Sequence, residues 1–217
     1  VYAVLATPDA PRLAPAIASY YGEHQELLED FDHARRVGEV AVSPRTAADA
    51  RVDLFDLLRL NDAKVGTPVK REIDDYTEAA RADVRNAALM LLARMKDRGA
   101  RKALLAEYDE RIDAGRNPID AYADRATILH EIGDFSGAVK DWREVMTIMQ
   151  ETRQGRRDEK PYIGIARSLA RLKKYREAKE YLEKAPISLQ KLRGLASERD
   201  FREMLESRYS DAFHLEE

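Results

Sequence analysis

Apolar residues recur every three or four positions along most of the chain, and charged residues fill most of the positions between them. After Thr46, for example, Ala50, Leu54 and Leu57 fall on one side of a helix. This spacing is typical of amphipathic helices that bury one face. The pattern predicts an all-α protein of about nine to eleven helices.

Three stretches of the first half need separate assignments. Residues 27–34 fit one helical face, so they are predicted to form a single helix. Val37–Val42 alternates weakly around Gly38, which predicts a short extended linker. Residues 68–97 contain no glycine and, after Pro68, no proline. They are predicted to form either one long helix or two helices with a tight joint.

Two helical segments in this half align at a separation of 34 residues. Asp49 and Arg51, with the leucines that follow them, correspond to Asp83 and Arg85 and the apolar residues that follow there. The second segment resembles a HEAT repeat. The resemblance implies HEAT-like helix pairs over residues 46–113, and generic helical hairpins are the alternative.

Residues 117–185 carry two copies of a longer pattern. Asn117-Pro118 marks the start of a helix in the first copy, because asparagine caps helices and proline fits their first turn. Alanines at matching positions allow helices to approach closely. The repeated positions are Tyr122, Ala126, Leu129, Gly133, Phe135, Ala138 and Trp142, and then Tyr162, Ala166, Leu169, Lys173, Tyr175, Ala178 and Leu182.

This arrangement resembles the tetratricopeptide repeat, a helical hairpin whose stacked copies bind peptides or helices in a groove. The resemblance implies a binding or scaffold role without intrinsic chemistry. Lys173 departs from it, since the family prefers glycine there, and the 40-residue spacing of Phe135 and Tyr175 implies extra residues between 152 and 160. Residues 195–205, with Asp200-Phe201, resemble the closing segment of bacterial repeat groups.

Together these patterns predict an α-solenoid of helical hairpins, with a compact helical bundle as the alternative. The predicted segments are an N-terminal helical entry (1–45), HEAT-like hairpins (46–116), tetratricopeptide-like repeats (117–185) and capping helices (186–217). A closing helix is expected because the last repeat of a solenoid otherwise exposes its apolar face.

Composition narrows the class of protein. The chain is 44% hydrophobic and 35% charged, too apolar for a disordered chain, and it has no cysteine for a disulfide or a zinc–thiolate site. No apolar run approaches the roughly 20 residues that span a bilayer. The chain begins at Val1 instead of methionine, which indicates a processed or excised piece. A cytoplasmic location is expected.

Basic residues are concentrated in one stretch of this acidic chain. The net charge is −3, yet residues 153–176 hold nine basic residues and only two acidic ones. This cluster is either a patch for an acidic protein or peptide, or a solvated helix face. Nucleic acid is disfavoured because no stacking aromatics are interleaved with the charges. The predicted partner-binding residues are Lys160, Arg167, Arg171 and Lys174.

No sequence motif for catalysis, phosphate binding or dinucleotide binding is present. Asp30 and His33 have a spacing that two metal ligands can share, but carboxylates are abundant in this chain, so a structural role is expected. His130 and Glu131 are predicted to form a surface pair. The chain is therefore predicted to be a non-catalytic interaction module with no cofactor or metal. A regulatory sensor domain and a helical enzyme without a recognisable motif are the alternatives.

Overall fold

The computed structural model describes residues 2–153 and 158–213, and these residues form helices and no strands. The all-α prediction is confirmed. The described α-helices are α1 (Tyr2–Leu5), α2 (Ala14–Glu23), α3 (Phe31–Val42), α4 (Ala48–Leu60), α5 (Thr67–Asp74), α6 (Ala82–Arg94), α7 (Arg98–Asp113), α8 (Pro118–Glu131), α9 (Phe135–Thr152), α10 (Lys160–Arg171), α11 (Tyr175–Lys184), α12 (Leu189–Leu195) and α13 (Arg202–Leu205).

Five short 3-10 helices accompany them, at Ala10–Leu13, Gln25–Glu29, Asp75–Glu78, Arg199–Phe201 and Ser210–Phe213. The thirteen α-helices of the described ranges exceed the nine to eleven expected from the sequence. The difference arises because α1 and α13 have four residues each, about one turn, which is too short to show a periodic pattern. None of the described helices is both long and apolar enough to cross a membrane.

The chain divides into two compact units, Val1–Leu104 and Leu105–Glu217, with the boundary inside α7. In the first unit α4 packs against α2, α3 and α6, and α5 packs against α3 and α6. Large side chains that are fully buried at the centre of this unit include Tyr21, Leu54, Phe55 and Leu58.

The two segments that align in the sequence form equivalent helices in the first unit. α4 and α6 have 13 residues each, and every boundary of α6 lies 34 residues after that of α4. A left-handed residue lies two positions after the end of each helix, Asp62 with φ 53° and Lys96 with φ 64°. The next residue in each case, Ala63 or Asp97, donates its backbone N–H to a carbonyl five positions back, at 3.0 Å. The same helix-closing motif therefore repeats with the same spacing.

The first unit corrects the prediction for residues 37–42. They belong to α3 and not to an extended linker. Gly38 is needed there for a close approach, because a Cβ atom at this position would lie 2.7 Å from Cγ1 of Val69. Gly38 thus interrupts the apolar pattern of α3 because another helix contacts α3 there and leaves no room for a side chain.

The structure also decides the predictions for two further stretches of this unit. Residues 27–34 do not form one helix, because Asp30 interrupts them and caps α3 by accepting the N–H groups of Asp32 and His33 at 2.9 and 3.1 Å. Residues 68–97 form two helices, α5 and α6. The 3-10 helix Asp75–Glu78 and the extended residue Ala79 separate them.

The second unit contains two helical hairpins, α8 with α9 and α10 with α11, and α10 also packs against α8 and α9. Each hairpin turns at a left-handed residue, Gly133 with φ 81° and Lys173 with φ 59°. Lys173 therefore adopts the conformation for which glycine is preferred, and the chain closes in the same way at both turns. Four fully buried alanines lie where the helices meet: Ala126, Ala138, Ala166 and Ala178.

Part of the extra length between the two hairpins lies in α9. α9 has 18 residues, whereas its counterpart α11 has 10. Residues 154–157, which belong to the stretch expected to hold the extra residues, lie outside the described part of the chain. At the end of the unit Phe201, Met204 and Phe213 are completely buried in the core that the hairpins form.

Candidate functional site

The predicted partner-binding residues lie along α10 and in the turn that follows it. Lys160 begins α10, Arg167 lies in its middle and Arg171 ends it. Lys174 does not continue that face, because the left-handed Lys173 reverses the chain and makes Lys174 the residue before α11. Arg156 and Arg157, which belong to the same basic cluster in the sequence, lie outside the described residues.

Arg167 binds a carboxylate of its own chain. Its Nε and Nη2 atoms each lie 2.6 Å from an oxygen of Glu198, the residue that precedes the 3-10 helix Arg199–Phe201. This two-bond geometry is among the strongest that a guanidinium and a carboxylate adopt. The Arg167 side chain is still 39% exposed. Arg167 thus has a structural role as well as a solvent-facing surface.

Arg171 is held more deeply. Its Nε atom lies 3.9 Å from Oδ1 of Asp200, and its guanidinium stacks 5.2 Å from the ring centre of Phe135. A cation over an aromatic face is attracted by the electrons of the ring. Arg171 therefore connects the end of α10 to the start of α9 and to the closing segment, and it is less accessible than Arg167.

The two lysines are the exposed members of the set. Lys174 lies 3.8 Å from Glu177 in a surface pair and its side chain is 55% exposed. Lys160 is exposed, and no carboxylate of the described residues pairs with its ammonium group. Its neighbour Glu159 pairs instead with Lys191. An external anion can therefore reach the lysines without displacing a strong internal contact.

His130 is a connecting residue that the sequence interpretation assigned wrongly to the surface. Its Nδ1 atom lies 3.0 Å from Oγ of Ser168, and its Nε2 atom lies 3.0 Å from Oδ2 of Asp200. The ring also packs edge-on against Phe135, with the centres 5.1 Å apart. The side chain is only 16% exposed. His130 thus links α8, α10 and the closing segment.

Ser168, His130 and Asp200 have the connectivity of a hydrolytic triad, which invites a test of that chemistry. Ser168 is completely buried, and its hydroxyl lies 2.9 Å from the carbonyl oxygen of Gly164 in the same helix. A nucleophile must reach the substrate carbonyl, and this oxygen is covered by protein. The arrangement therefore acts as a packing contact between helices in this conformation.

The surroundings of Asp200 shift the pKa of its carboxyl group in opposite directions. Burial raises its pKa, whereas the hydrogen bond with His130 and the charges of His130, Arg171 and Arg167 lower it. The attractive effects prevail, so the pKa of Asp200 lies below its usual value of 3.8. The carboxylate form therefore stabilises this cluster at neutral pH.

A largely buried ion pair lies within the first hairpin. Arg125 donates from Nε and Nη2 to the two oxygens of Asp141 at 2.7 and 2.8 Å, and from Nη1 to Asp109 at 2.7 Å. The Asp141 side chain is only 4% exposed. The hydrogen bond with Asp141 raises the pKa of Arg125, although burial opposes it. This contact joins α8 to α9 and is structural.

The Asp30 and His33 pair is also structural. Asp30 caps α3, and Nδ1 of His33 lies 2.6 Å from the hydroxyl of Tyr21. Burial, followed by the charges of neighbouring groups, raises the pKa of that tyrosine to about 12. Within the described ranges, no three histidine, aspartate or glutamate side chains lie close enough together to hold a metal ion.

The comparisons with known proteins add no family. No family model matches the sequence, and neither a curated protein nor a solved structure matches the chain.

Proposed function

We propose that residues 117–185 are two tetratricopeptide-like repeats and that the chain is a non-catalytic module that binds a protein or peptide partner. The observation that carries this proposal is the pair of hairpins in the second unit. Their turns lie 40 residues apart, their closing motifs match, and alanines are buried where their helices meet. Hairpins stacked in this way present their first helices along one face, which accepts an extended peptide or a helix.

An acidic partner is favoured by the charge of α10 and of the turn that follows it. Within the chain, Arg167 already binds a carboxylate with two hydrogen bonds. Lys160 and Lys174 are exposed, and part of Arg167 remains accessible. We therefore assign most of the attraction to Lys160, Lys174 and Arg167, and a smaller part to Arg171, which is held by Asp200 and Phe135.

The first unit supports an extension of the proposal to HEAT-like repeats. Asp49 and Asp83 occupy equivalent positions on α4 and α6, and Arg81 donates a hydrogen bond to each, at 2.6 and 2.5 Å. One arginine thus connects the same position of two successive units. Helices of equal length that pack against each other support a stacked arrangement in this unit too.

The test uses a fluorescein-labelled, glutamate-rich peptide as the acidic probe, with a glutamine-rich peptide of the same length as its neutral counterpart. Binding to the full chain is followed by anisotropy. We expect the acidic probe to bind and its affinity to fall as salt rises, because surface charges are screened within about 8–10 Å near physiological ionic strength. Equal affinity for the two peptides would contradict the acidic partner.

Matched variants locate the site. Lys160→Gln with Lys174→Gln should lower the affinity for the acidic probe by roughly tenfold, because each exposed charge contact contributes up to about 1 kcal/mol of binding free energy. Lys140→Gln with Lys184→Gln removes the same charge from the second helices of the hairpins and should leave the affinity unchanged. If the two double variants bind alike, Lys160 and Lys174 are only solvated and do not form the binding site. Reversing Arg167 and Arg171 is a poorer test, because it places carboxylates against Glu198 and Asp200 and lowers stability.

A further inference from the structure

The first unit contains a cavity of about 440 Å³ between the ends of α4 and α6 and the start of α5. Its wall includes Leu58, Val65 and Leu91, which are almost completely buried, and the half-buried Met95. Ligand sites for small organic molecules usually have volumes of about 300–1,000 Å³ and mostly apolar walls. The cavity has the size for such a molecule, and Met95 is the large apolar side chain of its lining that remains partly exposed.

The charged residues of the lining are predominantly basic. Four cations, Lys64, Lys70, Arg94 and Lys96, line the cavity with a single acidic residue, Asp62. Two of the cations are engaged, because Lys70 lies 3.2 Å from Asp97 and Arg94 donates to Asp62 at 2.8 Å. Lys64 and Lys96 are exposed, and no carboxylate in the described part of the chain pairs with either. The lining thus carries an excess of positive charge with two ammonium groups available.

The position of Lys96 follows from the repeat. It is the left-handed residue two positions after the end of α6, and its counterpart 34 residues earlier is Asp62, two positions after the end of α4. The two ends therefore differ in charge although their backbones match, and this difference makes the lining basic on the α6 side. A half-exposed aromatic lies at the same rim, because the ring of Phe31 packs against Gly66, a lining residue. Phe31 extends the apolar surface beyond the cavity.

We propose that this cavity binds a small organic anion that has an apolar body and one carboxylate, sulfonate or phosphate group. The apolar part lies against Met95, with Leu58 and Leu91 buried behind the surface that it contacts, and the anionic group lies near Lys64 and Lys96. Burial of the apolar part supplies affinity, and the ammonium groups select the charge. This site is independent of the peptide-binding face, because all of its residues belong to the first unit.

The probe is 8-anilinonaphthalene-1-sulfonate, and its uncharged parent N-phenyl-1-naphthylamine is the control ligand. The two molecules differ only in the sulfonate group. Titration of the full chain by fluorescence and calorimetry should give one site per chain for the sulfonate and roughly tenfold weaker binding of the parent. Equal affinity for the two dyes would overturn the proposal, because the basic residues would then not distinguish an anion from a neutral molecule. A native chain that does not bind the sulfonate dye at all would also overturn it.

Two variants test the location, and one control accompanies them. Lys64→Gln with Lys96→Gln should lower the affinity for the sulfonate dye to that of the neutral parent and leave the affinity for the parent unchanged. Lys102→Gln, an exposed lysine outside the lining, should change neither dye. Met95→Trp should narrow the cavity and weaken binding of both dyes. A double lysine variant that binds the sulfonate as tightly as the original chain overturns the assignment, even where Met95→Trp fails to fold.

Discussion

The Nε2 atom of His130 lies 3.0 Å from Oδ2 of Asp200, although 70 positions separate the two residues in the sequence. The other ring nitrogen of His130 faces Ser168 on α10. One imidazole therefore connects the first helix of one hairpin, the first helix of the next and the segment that closes the second unit. Because Phe201 follows Asp200 directly and is completely buried, this polar contact fixes the point where the closing segment enters the core.

His130→Ala should lower the free energy of unfolding by about 1–3 kcal/mol, because it removes one hydrogen-bond partner from both Asp200 and Ser168 in a largely buried site. Urea unfolding followed by circular dichroism measures the change. His24→Ala is the control, since that side chain is 45% exposed, and it should have little effect. A double-mutant cycle with Asp200→Asn should give a coupling energy clearly above zero, and additive effects would show that the contact contributes nothing.

Acid should remove the contribution of Asp200 in a defined pH range. Its pKa in the folded chain lies below the usual 3.8, so the ionised form stabilises the fold above that value. The contribution is lost as the pH falls through 3.8 towards the lower folded pKa. The difference in unfolding free energy between the original chain and Asp200→Asn should therefore shrink as the pH falls below about 4. A difference that grows with acid would contradict this assignment.

Gly164 should not tolerate a side chain. A Cβ atom there would lie 2.9 Å from Cδ1 of Trp142 and closer still to its ring nitrogen. Gly164→Ala should therefore destabilise the chain by about 1–3 kcal/mol through overpacking. Trp142 is the single tryptophan, so its fluorescence reports the local change directly. Gly194→Ala is the matched control, because nothing lies within 4 Å of its added Cβ, and a helical alanine there should be neutral or stabilising.

The helices of the second unit could be predicted because their signals are local. Ala126 and Ala166 lie at the positions where the repeated pattern has a small residue, and both are completely buried. The turn at Lys173 was also predictable from its alignment with Gly133, although its residue type is unfavourable for the left-handed conformation. Periodicity and turn spacing depend on neighbours along the chain, so they can be read without the fold.

The polar cluster could not be predicted in the same way. His130 falls beside Glu131 near the end of a helix, where a surface pair is the natural interpretation, and nothing local indicates that Asp200 will reach it. Arg167 likewise appears in the sequence as one charge of a solvated face, whereas its partner Glu198 lies 31 residues away. Helical periodicity identifies a face, but the element that packs on that face follows from the tertiary arrangement.

Arg51 and Arg85 provide a comparison within the 34-residue repeat. Arg51 is 8% exposed and donates to the carbonyl oxygens of Ala41, Ser43 and Thr46, each at 2.9 Å. These carbonyls lie at or just beyond the end of α3, where helical partners are missing. Arg85 occupies the equivalent position of α6 and has one such bond, to Ala79 at 2.9 Å. The same residue type therefore satisfies three backbone acceptors in one copy and one in the other.

Arg51→Lys should consequently destabilise the chain by about 2–4 kcal/mol, and Arg85→Lys by no more than about 1 kcal/mol. Lysine retains the charge, but its single ammonium group cannot reproduce the planar fork that serves three carbonyls. The Arg51 guanidinium also lies 4.4 Å from the ring centre of Tyr76, a contact that lysine makes less well. Urea unfolding of the two variants measures the difference, and Arg51→Ala sets the upper limit. A similarly small loss of stability in both lysine variants would mean that the positive charge alone accounts for the role of Arg51. A larger cost at Arg51 instead attributes the effect to the geometry of its hydrogen bonds.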